Sequence, residues 1–152
     1  MVALDFLIDE SELSEAASGN FDDGVLLHTC LLMPIRFAVD GHELLRSPDS
    51  ASDRIPGPLL HWATIGVSLI ESLPNHRRAI YSVPGTGNSL RFVVARDDVW
   101  ITSSLNGQSG CAALTDLIAA ARHFRASVRE LLVTRLPAIG ARPHWSNTLN
   151  QP

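Results

Sequence analysis

Gly107-Gln108-Ser109-Gly110-Cys111 lies between a strand-like run and a helix-like run, the setting in which a hydrolase exposes a serine nucleophile on a sharp turn. That elbow reads G-x-S-x-G. Here a glycine comes one residue early and Cys111 holds the last place, so the residues are better read as a strand-to-helix turn with Ser109 as the helix N-cap. Gly85-Thr86-Gly87-Asn88-Ser89 is similar to a fragment of a phosphate loop, but the chain has no lysine at all and a strand pattern follows. A hairpin turn is the expectation.

Histidine and cysteine are the other reactive types. Val25 to Met33 reads as a strand, and on a strand His28 and Cys30 face the same side and supply half of a transition-metal site. The remaining histidines, His42, His61, His76, His123 and His144, are scattered without zinc-ligand spacings, so no metal and no cofactor is expected. His61 is the best candidate for acid–base work. It precedes Trp62 on an apolar helix, where an imidazole needs a polar partner.

Charge is unevenly placed. The formal net charge is −4, which disfavours a nucleic-acid binder, since phosphate recognition needs a basic stripe. Residues 1–24 hold Asp5, Asp9, Glu10, Glu12, Glu15, Asp22 and Asp23 and no arginine, while all twelve arginines fall in the remainder. An acidic block of this kind is either solvated or a docking surface for a cationic partner. Arg122, Arg125 and Arg129 recur at i, i+3 and i+7 on a helix and share a face. Like charges at that spacing repel by a few tenths of a kcal/mol, so the ridge needs carboxylates, a partner or water.

These residues must be positioned by elements that the hydropathy pattern outlines. A first strand is expected from Val2 to Asp9, a second from Val25 to Met33 with a bend at Pro34, and a third from Ile35 to Val39. Asp40-Gly41 then turns the chain into a short return strand from His42. Ser47 to Pro58 reads as a surface loop. Leu59, Leu60, Trp62, Ala63, Ile65, Gly66, Leu69, Ile70 and Leu73 predict a helix apolar nearly all round, stopped by Pro74. Three strands follow, over residues 77–83, 90–95 and 99–102. A long helix over 111–136 carries Leu117, Ala121, Phe124, Val128 and Leu132 along one stripe.

The predicted fold is therefore α+β, an antiparallel or mixed sheet of about six strands with two main helices packed on it. The expected organisation is one domain over residues 1–136 and a polar C-terminal tail over 137–152, in which Trp145 lies against the body. At 152 residues and 45% hydrophobic composition, folding buries roughly 68–70% of the unfolded chain's surface, so no disulfide or metal is required for stability. Cys30 and Cys111 are expected to be free thiols. With no secretory leader pattern and no apolar run of membrane length, the expected compartment is the cytoplasm.

The runs Ile35-Arg36-Phe37-Ala38-Val39-Asp40-Gly41-His42-Glu43-Leu44-Leu45, Pro58-Leu59-Leu60-His61-Trp62 and Leu90-Arg91-Phe92-Val93, with the helix containing Phe124 and Val128, resemble small cytosolic bacterial α+β proteins. Among these are immunity proteins that neutralise toxins. The resemblance implies a protein partner, often a cationic toxin domain, and carries over no functional residue. The leading expectation is a non-enzymatic cytoplasmic binding protein that meets a basic partner through Asp9, Glu10, Glu12, Glu15, Asp22 and Asp23. Arg122, Arg125 and Arg129 are secondary candidates. The alternatives are a small enzyme or ligand-binding domain, with His61, Ser109 or Cys111 in a pocket between helix and sheet, and a structural subunit that oligomerises through an open sheet edge or the arginine ridge.

Overall fold

The computed structural model describes residues 1–151 and has an α+β architecture built on two four-stranded antiparallel sheets. The chain runs β1 (Val2–Phe6), α1 (Glu10–Ser18), α2 (Asp23–His28), β2 (Leu32–Val39), β3 (His42–Glu43) and β4 (Ile55–Pro58). A continuous helical stretch over residues 59–71 follows, comprising α3 (Leu59–His61), a π-helical turn (Trp62–Gly66) and α4 (Val67–Glu71), and then α5 (Leu73–His76). The second half holds β5 (Arg78–Val83), β6 (Asn88–Ala95), β7 (Asp98–Ser103), β8 (Ser109–Ala113), α6 (Leu114–Arg135), α7 (Pro137–Gly140) and α8 (Pro143–Leu149).

The acidic N-terminal segment is helical. Asp9 caps α1, its carboxylate accepting the Ser11 and Glu12 N–H groups at 3.0 and 3.3 Å, and Asp22 caps α2 by accepting the Val25 N–H at 2.8 Å. These caps satisfy N–H groups that a helix start leaves open. The Asp22 cap also corrects the strand expected over Val25 to Met33. Residues 23–28 wind into α2, and Leu31, with φ of 52°, turns the chain into β2. Pro34 does not bend that strand. It faces Pro56 of β4, so two of the residues that cannot donate a ladder hydrogen bond occupy the same rung.

Two sheets replace the single sheet of about six strands. β2 is the centre of the first, paired with β1 on one side and with β3 and β4 on the other. The second is a meander in the order β5-β6-β7-β8. The strands missed by pattern are β4, inside the expected loop, and β8, where a helix start was expected. β4 contains two prolines and only one branched residue, Ile55, and β8 contains Gly110 and two alanines, so neither has the run of branched and aromatic residues that signals a strand. The sheets meet at β2 and β8. A Cβ on Gly110 would lie 2.6 Å from the Val39 carbonyl oxygen, so only glycine permits this approach.

One buried apolar cluster joins both sheets and the helices. Phe6 of β1 meets Phe124 of α6 edge-on at 5.7 Å, and Phe37 of β2 lies 6.5 Å from Phe92 of β6. Leu59, Leu60 and Ala63 are fully buried and Val67 and Ile70 nearly so, so packing beneath this helical stretch is solid. Pro74 does not simply end it. The proline occupies the first turn of α5, where its missing N–H costs nothing. The expected polar tail is likewise folded: α7 and α8 return to the body, Trp145 is completely buried, and Leu149 and Ile139 join the core.

Candidate functional site

The structure accounts for most of the acidic residues internally. Besides the caps at Asp9 and Asp22, Glu10 pairs with Arg135 at 2.6 Å, Asp23 with Arg142 at 3.2 Å and Asp5 with Arg54 at 2.5 Å. Arg142 also donates to the Phe21 carbonyl at 2.8 Å. Glu12 accepts the Leu32 N–H at 3.3 Å, and the Ser11 hydroxyl, ahead of the Glu12 N–H, holds the Asp9 carboxyl below its ordinary range. Glu15 is exposed on α1. The arginines that pair with Asp5, Glu10 and Asp23 come from distant parts of the chain, so three of the block's seven carboxylates meet a counter-charge in space.

The arginine ridge divides. Arg125 is 3% exposed and its guanidinium donates to Glu71 Oε1 at 2.5 Å, while Arg122 donates to Glu71 Oε2 at 2.8 Å. Burial would raise the Glu71 pKa, but hydrogen bonds from Arg125 and Arg122 outweigh it and hold the carboxyl below its ordinary range. These two arginines thus clamp α6 to α4. Arg129 stays exposed.

The small chemical motifs disperse. Ser109 does not cap a helix; its hydroxyl hydrogen-bonds Thr102 across β7 and β8 at 2.9 Å, and Cys111 lies in β8. Burial raises the thiol pKa of both Cys111 and Cys30, which makes them poor nucleophiles at neutral pH. His28 ends α2 and Cys30 lies past it, so they do not alternate on a strand. Among the described residues no group of three or more His, Cys, Asp or Glu side chains is arranged to hold a metal ion, and no helix is long and apolar enough to cross a membrane.

His61 does acquire a partner. Its Nδ1 and the Tyr81 hydroxyl share a 2.7 Å hydrogen bond, and its ring lies 5.5 Å from that of His28. Burial, with the neighbouring His28 adding to it, depresses the His61 pKa, and burial raises that of Tyr81. Trp62 packs edge-on against Tyr81 at 4.7 Å, in the π-helical turn that begins directly after His61. His28, His61 and Tyr81 border a groove of about 570 Å³ that opens to solvent between the helical layer and β5, with Ile65 and Leu69 also lining it.

A second groove of about 550 Å³ lies on the other side of β5, over β6, bordered by Arg78, Ile80, Arg91 and Val93. It belongs to the outer face of the second sheet. In register, Arg78, Val93, Trp100 and Cys111 form one row across that face, and Ile80, Arg91, Thr102 and Ser109 form the next. Ile80 is 56% and Trp100 53% exposed. Pattern reasoning passed over this face although a signal was present: the outward phase of the alternation keeps Ile80, Val93 and Trp100 where a solvated face carries polar residues. Comparison with protein-family models, with curated proteins and with solved structures finds no match to this chain.

Proposed function

We propose that this chain is a non-enzymatic protein-binding module, working in the cytoplasm in the manner of an immunity protein, and that its contact surface is the outer face of the second sheet. The observation that carries this reading is the exposure of Ile80 and Trp100 beside Arg78 and Arg91 on that face. Exposed aromatic and arginine side chains are the types that contribute most to interfaces. The acidic segment is the weaker candidate because Asp9 and Asp22 cap helices and Asp5, Glu10 and Asp23 pair with Arg54, Arg135 and Arg142. A cationic partner would have to displace those contacts. An acidic partner would meet Arg78 and Arg91 directly.

The test is a pull-down from native lysate at low and high salt, with wild type beside Ile80→Asp, Trp100→Asp and the control Val133→Asp, which lies on exposed α6 surface. A stoichiometric acidic partner kept by wild type and the control, but lost from both face variants, supports the reading. A partner indifferent to both face variants overturns it.

The small-ligand alternative keeps one supporting observation, the His61–Tyr81 hydrogen bond beside an open groove. Packing beneath residues 59–71 is solid, with Leu59, Leu60 and Ala63 fully buried.

A further inference from the structure

β5 is a terminal strand of its sheet, hydrogen-bonded only to β6. The Val94 N–H donates to the Arg77 carbonyl at 2.9 Å, which sets the alternation of the pair. In an antiparallel ladder every second residue turns its N–H and C=O away from its neighbour. The backbone groups of Arg78, Ile80 and Ser82 therefore point to the free edge, and these three residues are exposed. The strand contains no proline and no carboxylate, and Arg78 at its start is its one charged residue, so the edge is only lightly blunted.

The two grooves flank this edge on opposite faces of the sheet, and Ile80 borders both. A strand added beside β5 sends alternate side chains to opposite faces, one set toward Arg78, Arg91 and Val93 and the other toward His28, His61 and Ile65. No carboxylate borders either groove. We propose that β5 accepts an extended segment of a partner protein by strand addition, and that this segment alternates apolar residues with Asp or Glu. A second copy of β5 is the poorer occupant, since Arg-Ala-Ile-Tyr-Ser-Val brings no negative charge to the arginines. The inference rests on the reading of this region as a protein-binding surface and names the mode of binding.

Short random peptides displayed on phage and selected against the whole chain test it, with Ile80→Pro and the double variant Arg78→Glu, Arg91→Glu selected in parallel. Ile80→Pro removes one free-edge donor without removing a bond to β6. The expected result is enrichment of acidic–apolar alternation on wild type, an affinity drop of about ten-fold or more on Ile80→Pro, and enrichment of basic peptides on the double variant. Should Ile80→Pro fail to fold, hydrogen exchange on wild type decides: a selected peptide must slow the Arg78, Ile80 and Ser82 amides by about ten-fold or more. No enrichment, or selected peptides that leave these amides unprotected, overturns strand addition, as does a sedimentation result in which the chain pairs with itself through β5. Loss of the native partner from Trp100→Asp, alongside failure of every peptide, removes strand addition and leaves the outer-face reading standing.

Discussion

Tyr81 and half-buried His61 satisfy each other at the rim of the groove. The tyrosine is almost fully buried and its hydroxyl needs a partner, which the imidazole supplies at 2.7 Å. Tyr81→Phe is expected to destabilise the fold by about 1 kcal/mol, the net worth of one hydrogen bond, measured by urea denaturation. The same site makes stability depend on pH. His61 has a folded-state pKa below its ordinary 6.5, so the unfolded chain binds the proton more readily. Its contribution is intact above about pH 6.5 and is lost as the pH falls toward and through the folded value. Denaturation midpoints at pH 7.5 and 5.5 should therefore differ less in His61→Gln than in wild type; equal differences in the two proteins would refute the assignment.

At the scale of elements, two close contacts hold the layers. The first joins α6 to α4 through Arg125, Arg122 and Glu71. Glu71→Gln leaves the buried Arg125 guanidinium without its carboxylate and is expected to cost about 3 kcal/mol, with Glu71→Ala no milder. Because the Glu71 pKa is held below its ordinary 4.5, this clamp contributes fully above that pH and weakens as the pH falls through the lowered value. Acid denaturation of Glu71→Gln should consequently be shallower than that of wild type below pH 4.5. The second contact joins β2 to β8 at Gly110. Gly110→Ala forces a methyl group against the Val39 carbonyl oxygen and is expected to cost about 2 kcal/mol, whereas Gly107→Ala strains a turn with φ of +74° without touching the seam. Chemical denaturation of the two variants, with near-UV circular dichroism to follow packing, separates these effects.

For the whole molecule, the C-terminal helices belong to the core. Trp145 in α8 is fully buried, and Arg125 donates to the Gln151 carbonyl at 2.9 Å. Trp145→Ala is expected to cost about 4 kcal/mol. Removal of residues 137–152 should lower stability by at least as much, detected as a fall in Tm and in expression of folded protein; a truncated chain as stable as wild type would contradict this packing. Charge is also settled at this scale. Reversal of Asp22 and Asp23 removes a helix cap and the Arg142 pair, so its first consequence is lower stability. Any change in association must be read against that loss.

How much of this could be read along the chain follows the range of each interaction. The alternation expected over residues 77–83, 90–95 and 99–102, the Asp40-Gly41 turn and the apolar stripe of α6 are local patterns, and all were legible. α2 and β8 were not, because a run such as Val-Leu-Leu-His suits helix or strand equally and Ser-Gly-Cys-Ala-Ala suits neither. The Asp22 cap and the pairing with β7 decided them. The ion pairs of Asp5, Glu10 and Asp23 were not legible because their arginine partners lie far along the chain, Glu10 and Arg135 being 125 positions apart. The arginine face seemed continuous until Glu71 arrived from α4. The sequence by itself determined which segments were amphipathic or apolar, that the fold was α+β and that no lysine-dependent phosphate chemistry was available. Tertiary structure alone decided that the strands divide into two sheets, that His61 meets Tyr81 and that β5 is left with an open edge, because each of these is a contact between distant residues that leaves no periodic trace in either one's neighbourhood.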